Sequence, residues 1–106
     1  MIYLYNKRKT KKPFFSIITV VKDDEKNILR TLNSIKNQSY KNYEYIIVDG
    51  KSTDKTLQIL KKNKIFNILI SEKDYGIYEA MNKGLKISRG QIIVFVNSGD
   101  VITKNA

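Results

Sequence analysis

The sequence predicts an α/β protein: a mostly parallel sheet of about four strands alternating with three helices. Three observations predict it. Short apolar runs rich in β-branched residues recur along the chain, stripes of helical period lie between them, and the connections are short. Successive parallel strands joined this way take right-handed crossovers, which stack the helices on the sheet.

The first strand is expected over 14–21, where Phe14-Phe15-Ser16-Ile17-Ile18-Thr19-Val20-Val21 suits a strand covered on both faces. Asp23 or Asp24 can cap the helix that follows, about 25–37, whose inward stripe is Ile28, Leu29, Leu32 and Ile35. The second strand is expected over 43–48, with a loop over 49–53 and a helix over 54–62 turning Leu57 and Leu60 inward. A third strand spans 66–70. After the loop 71–76, Ile77, Ala80, Met81, Gly84 and Leu85 give a third helical stripe that Gly90 can end. Residues 91–96 form the fourth strand, near a sheet edge where a flat apolar strand invites pairing.

Composition narrows the chemistry. One hundred and six residues make one domain at most. The chain has neither cysteine nor histidine, which excludes disulfides, Cys/His zinc sites, cysteine nucleophiles and a Ser-His-Asp triad. Carboxylates, hydroxyls, amides, Lys and Arg remain. No Gly-x-Gly-x-x-Gly opens the first helix and no P-loop occurs, which disfavours dinucleotide and P-loop readings. A phosphoreceiver would need an acceptor Asp directly after the third strand, where only Asp74 in a longer loop is available.

Twenty Lys and Arg against ten Asp and Glu give +10, and five of the cations are Lys7, Arg8, Lys9, Lys11 and Lys12. Residues 1–13 therefore read as a basic flexible tail and 14–106 as the folded domain. Such a tail can contact an anionic membrane surface. The opening residues reverse the order of a signal peptide, and no apolar run approaches the roughly 20 residues of a membrane span, so a cytoplasmic location, at the inner membrane face through the tail, is expected.

Seven of the ten acids, Asp23, Asp24, Asp49, Asp54, Glu72, Asp74 and Asp100, fall in loops expected at the carboxyl ends of the strands. Ligands of open parallel sheets bind there. Convergent carboxylates suit a divalent cation with oxygen ligands, Mg²⁺ or Mn²⁺, although helix capping accounts for Asp23 or Asp24 and for Asp54. Asp49 ends an apolar run and precedes Gly50, where the backbone can turn sharply or approach a ligand.

Four ordered segments carry a resemblance: Ser16 to Asp23, Ile47 to Thr56, Ser71 to Gly84, and Asn97-Ser98-Gly99-Asp100. Together they resemble the nucleotide-sugar half of family 2 glycosyltransferases, of the type found in bacterial polysaccharide assembly. The resemblance implies a Rossmann-like, partial GT-A fold that binds a nucleotide diphosphate sugar through Thr19, Val21, Asp23, Asp49, Ser52, Asp74, Gly76, Asn82, Asn97 and Ser98. It implies Mn²⁺ or Mg²⁺ on Asp100, the last acid of an Asp-x-Asp motif that here begins with Asn97 and has Gly99 at its next position. The complete enzyme would transfer the sugar to a glycan or lipid-linked acceptor with inversion. The catalytic base and acceptor platform are expected in a second half that these residues do not include, so the chain alone is expected not to catalyse transfer.

The rival reading is a non-catalytic basic module on anionic membrane or nucleic acid. It leaves the gathered acids unexplained. No interleaving of aromatics with Lys or Arg supports base stacking, so nucleic acid is not an expected partner. A folded remnant forming a homodimer through its exposed edge is a further alternative.

Overall fold

The computed structural model describes residues 2–4 and 12–102. In chain order the elements are β1 (Ile2–Leu4), β2 (Phe15–Val21), α1 (Ile28–Lys36), β3 (Tyr43–Asp49), α2 (Thr56–Asn63), β4 (Ile68–Ser71), α3 (Ile77–Ile87) and β5 (Ile92–Phe95). They build one five-stranded sheet of order β1-β4-β3-β2-β5. The four expected strands, β2, β3, β4 and β5, are parallel to one another.

The fifth strand corrects the expectation of a tail over 1–13. Ile2–Leu4 pairs antiparallel with β4, in register Ile2 with Ile70 and Leu4 with Ile68. Its three residues stand close before a dense run of cations, and their partners lie 64 to 68 residues along the chain, so local pattern points elsewhere. The cations Lys7, Arg8, Lys9 and Lys11 lie outside the described residues; Lys12 is exposed.

Sheet order explains the layering. The chain moves from β2 to β3 to β4 in one direction, then returns past its starting strand to place β5 on the other side of β2. Right-handed crossovers require such a reversal to change faces. Accordingly α1 and α2 cover one face, where Ile28, Leu32, Ile35 and Leu60 meet Ile17, Tyr45, Ile47 and Leu69. On the other face Ala80 and Met81 of α3 meet Ile18, Val20, Ile46 and Val48. Each fully buried Leu or Ile adds roughly 1.5–3 kcal/mol of transfer free energy.

The inward stripe of α1 differs by one member from the expected one. Leu29 is 42% exposed and Thr31 is buried in its place. The helix begins later than expected, with Asn27 at the N-cap position and no side-chain cap. The Asp24 carbonyl accepts the Asn27 and Ile28 N–H groups instead. Helix α3 ends at Ser88, which turns to extended backbone, rather than at Gly90. Gly90 lies against β2: a Cβ there would stand 2.5 Å from the Ser16 nitrogen and 2.6 Å from the Phe15 carbonyl carbon.

Candidate functional site

The reversal of direction at β2 creates a topological switch point, and the crevice beyond the carboxyl end of such a strand is where open α/β sheets take ligands. β2 ends between β3 and β5. Gly50 N–H donates to the Val21 carbonyl at 2.9 Å on one side, and Ser98 N–H donates to the Val20 carbonyl at 3.3 Å on the other. Above this end opens a cleft of about 410 Å³ lined by Val20, Val21, Lys22, Asp74, Tyr75, Gly76, Ile77 and Ala80. Its far wall is the start of α3, whose free N–H groups and positive dipole end favour an anion. Gly76 holds φ +133°, a backbone conformation suited to glycine.

Asp74 reaches the cleft because Gly50 has no side chain. Its Oδ2 would stand 2.8 Å from a Cβ at Gly50, so the carboxylate lies directly against that Cα. Asp74 Oδ1 also accepts the Gly76 N–H at 3.3 Å. Behind the loop, Lys83 fastens the segment after β4 by donating to the Lys73 carbonyl at 2.9 Å and pairing with Glu72 at 3.3 Å.

The seven acids share the carboxyl rim as expected, but they do not converge on one point. Among the described residues no group of three acids could hold a metal ion. Most are engaged in joining loops. Asp23, at φ +49°, accepts Thr53 N–H at 2.6 Å and Asp54 N–H at 3.3 Å, while its own N–H donates to Ser52 Oγ at 2.8 Å. Asp54 answers by accepting Glu25 N–H at 3.1 Å and Thr56 N–H at 2.9 Å. Partial desolvation alone would raise the Asp54 carboxyl, but the hydrogen bonds from Thr56 and Glu25 outweigh it and hold it below the usual aspartate value. Asp24 accepts Ser98 Oγ at 2.8 Å and Asn27 Nδ2 at 2.9 Å.

Asp49 is fully buried at the end of β3. Ser52 donates to it through its hydroxyl at 2.5 Å and its N–H at 3.1 Å, and Ser71 Oγ donates at 2.8 Å. In this arrangement Asp49 ties the loops after β3 and β4 together beneath the rim. Asp100, like Asp23 and Glu72, is exposed. Its Oδ2 accepts Asn97 N–H at 3.2 Å, and Asn97 Oδ1 is a buried oxygen without a hydrogen-bond partner.

Val21, Asp74 and Gly76 line the cleft, and Asp23, Ser52, Asn97, Ser98 and Asp100 occupy the loops around it. Two expected site residues lie elsewhere. Thr19 shares the α1/α2 face with Ile17 and Val21 because strand side chains alternate, and its fully buried hydroxyl bonds Tyr45 Oη at 2.6 Å inside the core. Burial raises the Tyr45 phenol well above its usual value, against the opposing effect of the Thr19 bond, so this pair stays neutral. Asn82 is exposed in a surface hollow with Glu79, Lys83 and Lys86, two residues and therefore about 200° around α3 from the cleft-lining Ala80.

Reading the letters alone missed Val20, Lys22 and Tyr75 as lining residues and Thr31, Thr53, Thr56 and Ser71 as loop ties. Thr31 did carry a signal: it interrupts the apolar set Ile28, Leu32 and Ile35 at helical spacing.

The family model described as Glycosyl transferase family 2 matches residues 16–106, the span from β2 through the Asn97–Asp100 loop. The chain belongs to that family. Among curated relatives, the UDP-Glc:alpha-D-GlcNAc-diphosphoundecaprenol beta-1,3-glucosyltransferase WfaP of Escherichia coli is 39% identical over 87 residues, which are 80% of this chain and 35% of the relative. Among solved structures, Staphylococcus aureus TarS 1–349 in complex with UDP-GlcNAc superposes with a TM-score of 0.76 at 35% identity, covering 85% of this chain and 28% of that one. The mannosyltransferase PcManGT of Pyrobaculum calidifontis, in complex with GDP-Man and Mn²⁺, shares the fold with a TM-score of 0.77 at 22% identity, covering 92% of this chain and 31% of that one. The family 2 chain spans about a third of the length of such curated relatives. Its fold is the sheet-and-helix core of the GT-A glycosyltransferases.

Proposed function

We propose that this chain forms the donor-binding part of a glycosyltransferase, taking a nucleotide diphosphate sugar into the cleft above β2. The observation that carries the reading is the placement of that cleft: it lies at the switch point, between Lys22 and the N-terminus of α3, in a chain of family 2. Lys22 and the α3 N–H groups offer positive charge to a diphosphate. Asp23, Ser52 and Asp49 shape the loops after β2 and β3, which border the nucleoside side. Asp74 and Gly76 border the sugar side.

Asp100 is the carboxylate we assign to a divalent cation. Its carboxylate is exposed, Asn97 Oδ1 adds a hard oxygen without a partner, and such donors suit Mn²⁺ or Mg²⁺. When bound, the cation supplies Lewis-acid neutralisation of the departing nucleotide diphosphate. The chain's own groups orient the donor, with the acceptor approaching the anomeric carbon from the opposite side, giving inversion. The whole protein would use a glycan or lipid-linked acceptor; no residue of this chain is assigned as the base. Calorimetry with UDP and with GDP, with and without Mn²⁺, tests the reading. Binding strengthened by Mn²⁺ is expected; no binding by folded protein at millimolar nucleotide overturns it.

The same reading places the protein at the cytoplasmic face of the membrane, held through the cations of residues 7–12. No helix among the described residues is long and apolar enough to cross a membrane. Because Ile2–Leu4 belongs to the sheet, the test must change charge rather than delete the segment. Replacing Lys7, Arg8, Lys9 and Lys11 by Gln should abolish sedimentation with anionic vesicles; retained sedimentation overturns this placement.

A further inference from the structure

We infer that Thr31, a buried threonine in the middle of α1, is a positioning residue that sets the backbone of Asp100 for its cation. The inference rests on the assignment of Asp100 made above. Its origin is a contradiction in the helix: Ile28, Leu32 and Ile35 are apolar core residues, while Thr31 among them is equally buried. A hydroxyl in such a place is costly unless satisfied, and valine has the same shape without that cost. Threonine hydroxyls inside helices usually turn back to a carbonyl one turn earlier. This one turns outward.

Both of its partners lie in the loop that carries Asp100. Thr31 Oγ1 accepts the Gly99 N–H at 2.8 Å and donates to the Asp100 carbonyl at 2.8 Å. One hydroxyl thus brackets the Gly99–Asp100 backbone on both sides. Gly99 holds φ +97°, a conformation that a chain does not adopt by default, so the loop depends on external fastening. Two flanking contacts repeat the pattern from neighbouring positions of the same segment: Ser98 Oγ donates to Asp24 Oδ2 at 2.8 Å, and Ile102 N–H donates to Ser34 Oγ at 3.2 Å. Meanwhile the Asp100 side chain stays exposed, so its backbone is pinned while its carboxylate is presented outward.

The test compares the wild-type chain with Thr31→Val, Thr31→Ser and Asp100→Ala. UDP affinity is measured by calorimetry with and without Mn²⁺, and protection of the Gly99 amide by hydrogen exchange. In T31V the Mn²⁺-dependent gain in UDP affinity should fall about tenfold, with metal-free UDP affinity unchanged within twofold, and T31S should restore the gain. The Gly99 amide should exchange at least tenfold faster in T31V than in wild type. A T31V protein that keeps the full Mn²⁺ gain, while D100A loses it, shows Thr31 to be packing alone and overturns the inference. If D100A keeps the gain as well, the assignment of Asp100 fails and the inference falls with it. Should T31V not melt cooperatively, T31A takes its place in the same measurements. Unchanged Gly99 protection in any folded variant lacking the hydroxyl overturns the inference without reference to metal.

Discussion

The two ends of the sheet use acids and glycines in opposite ways. At the amino end, buried Glu44 accepts Ser16 Oγ at 2.5 Å and Arg89 N–H at 2.6 Å, and Ser16 Oγ accepts Gly90 N–H at 2.7 Å. One carboxylate there fastens the α3–β5 connection onto β2, and Gly90 is required because backbone touches backbone. At the carboxyl end, Asp23, Asp24, Asp49 and Asp54 tie loop to loop along the rim, and Gly50 is required because a side chain, Asp74, rests on it. Backbone contact at one end fixes the fold. Side-chain contact at the other leaves room for a ligand to rearrange it.

The largest effect should come from breaking the amino end. Gly90→Ala forces a Cβ into β2 backbone that cannot move aside, an overpacking cost of about 3 kcal/mol. For a domain of this size that lowers the melting temperature by roughly 12–24 °C. Thermal denaturation followed by circular dichroism reads it, and nucleotide affinity measured well below the transition should stay within twofold of wild type. An affinity loss as large as the stability loss would merge the two ends into one unit.

Gly50→Ala should give the converse result. The added methyl meets only the Asp74 carboxylate, which can swing away, so the melting temperature should change by only a few degrees. Donor affinity should fall about tenfold, the scale of one displaced hydrogen-bonding group at a binding site. Titration calorimetry with UDP-sugars against UDP sharpens the assignment: the loss should be greater for the sugar nucleotide, since Asp74 borders the sugar side.

The smallest effect concerns pH. Asp54 titrates below its ordinary value in the folded chain because Thr56 and Glu25 hydrogen-bond its charged form. Its contribution to stability is therefore present above the unfolded aspartate pKa of about 3.9 and lost as pH falls through the lower folded value. Asp54→Asn should flatten the acid limb of a stability–pH curve by a small amount, read by urea melts between about pH 2 and pH 5. The carboxyl-end ties are additive if that flattening persists in the G50A background.

Legibility followed how far each feature's cause extends along the chain. β2 and β3 are readable because burial on both faces demands long apolar runs, and Phe15 to Val21 and Tyr43 to Val48 supply them. β1 is not readable, since three residues acquire strand character only through distant β4. The rim as a location follows from element order alone, so Asp49, Asp74 and Asp100 could be placed on it. Which way a carboxylate faces depends on partners from other parts of the chain, such as Ser71 for Asp49 and Gly50 for Asp74. Thr19 and Asn82 went astray for a related reason: both fall inside recognisable motifs, but strand alternation and helix rotation turn their side chains away from the cleft.

The last two carbonyls of β2 point to opposite neighbours, one holding the Gly50 loop and the next holding the Ser98 loop. A strand's parity therefore becomes a chemical constraint. Inserting a single residue before Val20 would turn its carbonyl toward the Gly50 loop and that of Val21 toward the Ser98 loop, out of step with both N–H groups, whereas insertions farther out in the loops would leave both anchors in place. Variation among such proteins should accordingly accumulate in loop lengths while the count of residues along this one strand stays fixed.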